Sequence, residues 1–131
     1  MHNPNTGRVL AIDDDPGIRN VLKRIFETGG YDAEIVSSGQ EALALLFSTS
    51  NETDACPFDL ILTDLGMPEI DGWSVATAIR SRWSDVPVVL VTGWGDDVDN
   101  KKTRECQINE VISKPFNLHN LLELISKYTT H

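Results

Sequence analysis

Hydrophobic residues along this chain form five short, mostly apolar runs, and each is followed by a stretch with helical spacing. A continuous apolar run is typical of a strand buried on both faces of a parallel sheet. The pattern therefore predicts five strands that alternate with five helices. The predicted strands are Val9–Ile12, Ala33–Val36, Phe58–Thr63, Pro87–Val91 and Glu110–Ser113.

The first two helices have clear start signals. Asp15 is a good N-cap residue, Pro16 suits the first helical position, and Gly29-Gly30 ends the first helix. The segment Ser38-Gly39-Gln40-Glu41 has the Ser-x-x-Glu form of a capping box and begins the second.

The other three helices differ in how well their pattern supports them. Asp71-Gly72 opens a third helix that carries Trp83 on its apolar face. The segment Asp96–Gln107 has few apolar positions, so we expect a fourth helix that packs loosely. Asn117 caps a fifth helix, with apolar residues at helical spacing up to Tyr128.

Five strand–helix units predict a fold of the α/β class, a single-domain doubly wound (βα)5 sandwich with helices on both faces of a parallel sheet. The domain is expected over residues 8–128, between polar tails at 1–7 and 129–131. The polar N-terminus has no signal-peptide core, which favours a cytoplasmic location. Cys56 and Cys106 lie far apart in sequence and are expected to be reduced thiols.

The formal charge of −9 narrows the range of partners. Nucleic acids and anionic membranes both require a basic surface, so we expect no direct binding to nucleic acid. No apolar run approaches the roughly 20 residues that span a bilayer, so we expect no membrane insertion.

Polar side chains follow four of the five predicted strands. Asp13-Asp14, Asp64, Thr92 and Lys114 each stand at the end of an apolar run. The carboxyl ends of parallel strands form the ligand-binding edge of such a sheet. Three carboxylates, a hydroxyl and an ammonium would meet there, and such a set can hold a divalent cation and a phosphoryl group.

Four motifs in this order resemble the receiver domain of response regulators, the phosphoacceptor module of bacterial two-component signalling. The resemblance runs from about Arg8 to Tyr128 and implies a flavodoxin-like sheet of strand order 2-1-3-4-5. The motifs are Ile12-Asp13-Asp14-Asp15-Pro16, Asp64-Leu65-Gly66-Met67-Pro68 with Asp71-Gly72, Val91-Thr92-Gly93, and Lys114-Pro115-Phe116.

The resemblance implies that Asp64 accepts a phosphoryl group from a sensor histidine kinase. Mg2+ would be held by Asp14, Asp64 and the carbonyl of Gly66, with Asp13 acting mainly through a bound water. Aspartate is ionised at neutral pH and needs no general base, but an anion must then attack an anionic phosphoryl group. A divalent cation with oxygen ligands would relieve that repulsion.

The resemblance also assigns Lys114 and Thr92 to the phosphoryl oxygens. Pro115 matches a family proline that commonly follows a cis peptide bond. The chain is then expected to be no enzyme in the ordinary sense, catalysing only its own phosphotransfer and slow autodephosphorylation. It would pass the signal to a histidine phosphotransfer protein or to a downstream target protein. Dimerisation stays open, as does whether the chain stands alone or belongs to a hybrid kinase.

Two positions depart from the family pattern. Val111 stands three residues before Lys114, where relatives commonly carry an aromatic residue that swings inward on phosphorylation. Trp94 stands two residues after Thr92, and we expect it to limit water access to phosphorylated Asp64.

Two alternatives remain at this point. A receiver-like scaffold would bind partners without being phosphorylated. A haloacid-dehalogenase-like phosphatase would use the Asp-x-Asp within Asp13–Asp15, but that assignment leaves Asp64 and its surroundings unexplained. No Gly-x-Gly-x-x-Gly opens the first helix, which argues against a dinucleotide-binding domain.

Overall fold

A computed structural model of the chain describes residues 7–48, 55–93 and 98–129. Its five strands are β1 Arg8–Ile12, β2 Asp32–Val36, β3 Leu60–Asp64, β4 Val88–Thr92 and β5 Glu110–Ser113. They form one parallel sheet in the order β2-β1-β3-β4-β5, which confirms the predicted topology. Strands β3 and β4 are buried at every position because helices cover both faces of the sheet.

The five helices are α1 Pro16–Gly29, α2 Gly39–Ser48, α3 Gly72–Arg80, α4 Asn100–Glu105 and α5 Leu118–Thr129. Helices α1 and α5 pack on one face of the sheet against residues such as Val9 and Ala11, whereas α2 and α3 pack on the other face against Leu10 and Ile12. Side chains alternate between the faces of a strand, so consecutive residues of β1 supply both cores.

The predicted caps are present, with one difference. Asp15 Oδ1 accepts hydrogen bonds from the first turn of α1, and Asn117 Oδ1 does the same for α5. The Ser38 hydroxyl accepts from the Glu41 N–H at 3.1 Å, but the Glu41 carboxylate bonds the hydroxyl of Ser37. Only half of the capping box therefore forms.

The third helix is shorter than predicted. It ends at Arg80, and Trp83 lies beyond it, although the Trp83 N–H still donates to the Ile79 carbonyl at 2.8 Å. Trp83 is nonetheless only 5 % exposed and stacks on Phe47 of α2, with ring centroids 5.4 Å apart. The predicted helix was too long because Trp83 is apolar and continues the pattern of the helix, although the residue is buried from the segment that follows it.

The fourth helix begins after Asp99, whose carboxylate accepts from two N–H groups of the first turn. It ends before Gln107 because that residue adopts a positive φ of 55°, which closes the helix. None of its residues is buried, in keeping with the loose packing we expected. Asp96 and Asp97, at the predicted start, lie outside the described residues.

Two residues that the sequence prediction assigned to the tails contact each other. A Cβ added to Gly7 would lie 2.3 Å from Thr129 Cβ, and Thr129 is only 6 % exposed. The Gly7 carbonyl also accepts from Asp32 N–H at 3.3 Å.

Cys56 and Cys106 are free thiols, as expected. Within the described ranges, no helix has the length and apolarity needed to cross a bilayer.

Candidate functional site

Four strand ends bring the predicted site residues to one edge of the sheet. Asp13 follows β1, Asp64 ends β3, Thr92 ends β4 and Lys114 follows β5. The register keeps these ends level, since Thr92 is paired with Ser113 in the adjacent strand. The parallel topology therefore assembles residues as far apart in sequence as Asp13 and Lys114.

Three carboxylates form the centre of the site. Oxygen atoms of Asp13, Asp14 and Asp64 all lie within 4.8 Å of one another. Asp13 and Asp64 are buried, at 2 % and 8 % exposure, whereas Asp14 is exposed. Carboxylate oxygens at this spacing suit a hard divalent cation, and the exposed side leaves room for retained waters.

Lys114 supplies the positive charge. Its Nζ lies 2.8 Å from Asp13 Oδ2 and 3.4 Å from Asp64 Oδ1, and its side chain is 20 % exposed. The peptide bond between Lys114 and Pro115 is cis, as the family resemblance implied. The Lys114 N–H donates to the Thr92 carbonyl at 2.8 Å, which links two of the strand ends directly.

Hydrogen bonds fix Asp13 in place. Its N–H donates to the Val36 carbonyl at 3.2 Å, and its Oδ1 accepts from the Asp15 N–H at 2.9 Å. Arg19 of α1 donates to the Asp13 carbonyl at 2.9 Å. Arg19 is not among the predicted site residues, because its position on a helix gives no sign that its side chain returns to the strand end.

The charged groups of the site shift the pKa values of Asp64 and Lys114. Burial raises the pKa of the Asp64 carboxyl above its ordinary value of 3.8, the nearby Asp13 charge raises it further, and Lys114 offsets part of this. Burial lowers the pKa of the Lys114 ammonium, but its hydrogen bond to Asp13 and the two carboxylate charges outweigh burial, and the net shift is upward. Negative charge is thus in excess, which favours binding of a cation.

The glycines near the site differ in their surroundings. A Cβ added to Gly72 would lie 2.6 Å from the Asp64 carbonyl oxygen, whereas one added to Gly66 or Gly93 would meet no atom within 4 Å. Gly72 is therefore needed for α3 to approach β3 closely.

Of the two remaining predicted residues near Asp64, Thr92 is fully buried. Trp94 lies outside the described residues.

A cavity of about 390 Å³ opens beside Asp14. It is bounded by the start of α2 on one side and by the loop between β3 and α3 on the other. Its lining residues are Asp14, Ser37, Ser38, Gln40, Pro68 and Glu69.

The chain is similar to a large set of known proteins. Residues 9–126 match the response regulator receiver domain family. The transcriptional regulatory protein AruR of Pseudomonas aeruginosa is 33 % identical over 115 residues, which are 88 % of this chain but 46 % of that protein. The chain thus spans about half the length of the curated relatives it matches.

Solved structures agree in fold. The response regulator protein TrrA of Thermotoga maritima, solved in complex with Mg2+ and BeF, is 31 % identical with a TM-score of 0.80, covering 94 % of this chain and 99 % of that one. The signal receiver domain of a signal transduction histidine kinase from Syntrophus aciditrophicus is 30 % identical with a TM-score of 0.78, covering 94 % and 89 %.

Proposed function

This chain belongs to the response regulator receiver domain family, and we propose that it works as a phosphorylation switch in which Asp64 is the phosphoacceptor. The observation that carries the proposal is the cluster of Asp13, Asp14 and Asp64 with Lys114 Nζ within 3.4 Å of Asp64. The match over residues 9–126 overturns the haloacid-dehalogenase-like alternative.

The proposed reaction transfers a phosphoryl group from a phosphohistidine of a sensor histidine kinase. An Asp64 carboxylate oxygen bonds to phosphorus, the P–N bond breaks, and its electron pair stays on the departing imidazole. Little covalent chemistry falls to the protein, so its task is to position the groups and to stabilise negative charge. Lys114 lies where it can follow the charge from the carboxylates to the phosphoryl oxygens.

The carboxylates of Asp14 and Asp64 and the carbonyl of Gly66 would hold Mg2+ directly, with Asp13 acting mainly through water. When bound, the cation would neutralise part of the negative charge that the carboxylates and a phosphoryl group bring together. Two structural features favour this assignment. Asp13 already shares its Oδ2 with Lys114 at 2.8 Å, and Asp14 is the exposed member of the cluster.

The signal would leave the site mainly through Thr92. Its hydroxyl would donate to a phosphoryl oxygen, which would draw the end of β4 and the following segment toward Asp64. Val111 on β5 cannot make the large rotation of an aromatic side chain. The inward swing of an aromatic residue at this position, which is common in relatives, would therefore be missing from the switch. Helix α4, which buries none of its residues, can move at low cost.

The phosphorylated domain would dock on a downstream protein or pass the group to a histidine phosphotransfer protein, and it would hydrolyse its own acyl phosphate slowly. Hydrolysis depends on the same cluster, because the cation and Lys114 that favour attack by Asp64 also favour attack by water.

Intact mass after incubation with acetyl phosphate and Mg2+ tests the proposal. We expect one added phosphoryl group, absent without Mg2+ and absent in Asp64→Asn. The same assay is repeated with a phosphorylated histidine kinase as the donor. No added mass from either donor, in a folded and Mg2+-binding protein, would refute the switch and favour the scaffold alternative.

A further inference from the structure

The loop between β3 and α3 contains a strained turn at Glu69. This residue has a φ of 66°, in the left-handed region that residues with a Cβ rarely adopt. The Ile70 N–H donates to the Pro68 carbonyl at 2.7 Å, two residues back, so Glu69 is the centre of a γ-turn. A γ-turn with positive φ is rare, and such strain persists only where the surroundings hold it.

The start of α2 provides that restraint. Gln40 Nε2 donates a hydrogen bond to the Glu69 carboxylate, across 29 positions in sequence. The neighbouring Gly39 lies so close to Ile70 that an added Cβ would be 2.9 Å from Ile70 Cγ2 and 3.1 Å from the Ile70 carbonyl oxygen. Buried Met67 anchors the loop on the other side of the turn. The side chain of Gln40 therefore ties the turn to a helix.

The tied loop connects directly to the proposed metal site. It begins directly after Asp64 and includes Gly66, whose carbonyl is a proposed Mg2+ ligand, only three residues before Glu69. Gln40 and Glu69 also line the cavity beside Asp14. A shift of the turn would move the Gly66 carbonyl relative to the carboxylates, and metal sites tolerate little misplacement.

Building on the proposed function, we propose that Gln40 is a positioning residue for the Mg2+ site: by holding Glu69, it keeps the loop that carries Gly66 in the geometry that binds the cation. Gln40 does not touch the cation. Its amide acts through Glu69, and loss of this hydrogen bond lets the turn relax away from its strained conformation.

The test measures the Mg2+ dissociation constant by isothermal titration calorimetry, without a phosphodonor. Gln40→Ala should weaken Mg2+ binding by about three- to tenfold, the range expected for one lost hydrogen bond. Gln40→Asn, whose amide is one methylene too short, should behave alike. Neither change removes a buried group, because Gln40 is exposed, so both variants should fold.

Gln40→Glu separates positioning from charge. An added carboxylate near a cation site should tighten binding by charge alone, whereas repulsion from Glu69 should release the turn and weaken it. We expect weaker binding. The exchanged pair Gln40→Glu with Glu69→Gln restores a carboxylate–amide hydrogen bond at unchanged net charge and should return the affinity to within about twofold of wild type. Asn20→Asp, on the exposed part of α1, is the control for added charge elsewhere.

Wild-type affinity in Gln40→Ala, or tighter binding in Gln40→Glu, would refute the positioning role while leaving the proposed function intact. A lower melting temperature with unchanged Mg2+ affinity would also refute it, since the tie would then be merely structural. No Mg2+ binding by the wild type would instead overturn the proposed function itself.

Discussion

The ammonium of Lys114 lies nearer to Asp13 than to the proposed phosphoacceptor, with Nζ 2.8 Å from Asp13 Oδ2 and 3.4 Å from Asp64 Oδ1. Asp13 is 2 % exposed, so Lys114 neutralises a carboxylate that has almost no access to water. An unpaired charge at such depth is costly. Lys114 thus has a structural role before any phosphoryl group arrives, besides its proposed role in catalysis.

Removal of Lys114 should therefore destabilise the protein. Breaking a buried ion pair costs about 3–5 kcal/mol, and partial exposure of Lys114 should reduce this to about 2 kcal/mol. The control is Lys127→Met, which removes an exposed ion pair with Glu110 worth less than about 1 kcal/mol. Urea denaturation of Lys114→Met and Lys127→Met gives the comparison, and equal effects would contradict the structural role.

Asp64→Asn should stabilise the protein in the absence of Mg2+. Like charges about 4 Å apart repel by roughly 4 kcal/mol at an effective dielectric near 20, and Lys114 and solvent should leave about 1 kcal/mol of net strain. Removal of that charge should raise the melting temperature by about 3–5 °C. Millimolar Mg2+ should stabilise the wild type more than the variant, because the cation binds the assembled carboxylates.

The pH dependence of this difference has a definite sign. The pKa of Asp64 is raised in the folded state, so its contribution to stability is fully present below its ordinary value of 3.8 and is lost as the pH rises through the raised pKa. The advantage of Asp64→Asn over wild type should grow from pH 4 upward in Mg2+-free buffer. A pH-independent difference, or an equal gain for Asp85→Asn at an exposed carboxylate, would contradict this explanation.

Gly72→Ala should destabilise the fold at the site. The added methyl would lie 2.6 Å from the Asp64 carbonyl oxygen and 2.9 Å from Leu65 Cα, both backbone atoms that cannot rotate away. Overpacking of this kind costs about 1–3 kcal/mol. Gly66→Ala is the matched control, because its methyl would meet no atom within 4 Å and should change stability by less than about 0.5 kcal/mol. Thermal melts of both variants without Mg2+ provide the measurement.

Arg80→Met should loosen the attachment of α4. The Arg80 guanidinium donates to the carbonyls of Val86 and Gln107, each at 2.7 Å, and to Asn109 Oδ1 at 3.1 Å. The loss leaves several acceptors without their donor, at a cost of about 2 kcal/mol. Hydrogen exchange should become faster at residues 106–109, whereas Arg104→Met on exposed α4 should leave it unchanged. Unaltered exchange in both variants would mean that other contacts hold this end of α4.

Features of this protein that depend only on neighbouring residues could be predicted from its sequence. Apolar runs gave the five strands, and caps at Asp15, Asp71 and Asn117 gave three helix starts within a residue. Strand ends are local features too, so the position of Asp64 and Lys114 at one edge followed once a parallel sheet was assumed. Motif resemblance then supplied the strand order, which local pattern alone does not contain.

Contacts between residues that are distant in sequence could not be predicted in this way. The end of α3, the close pairing of Lys114 with Asp13, the Gly7–Thr129 contact and the tie from Gln40 to Glu69 all join segments that approach each other only after folding. No periodicity or cap encodes such contacts, because each is set by the packing of helices on the sheet. Packing also places Trp83 in the core although it lies outside any helix. Its apolar character alone had suggested that α3 extends this far, whereas the helix ends at Arg80.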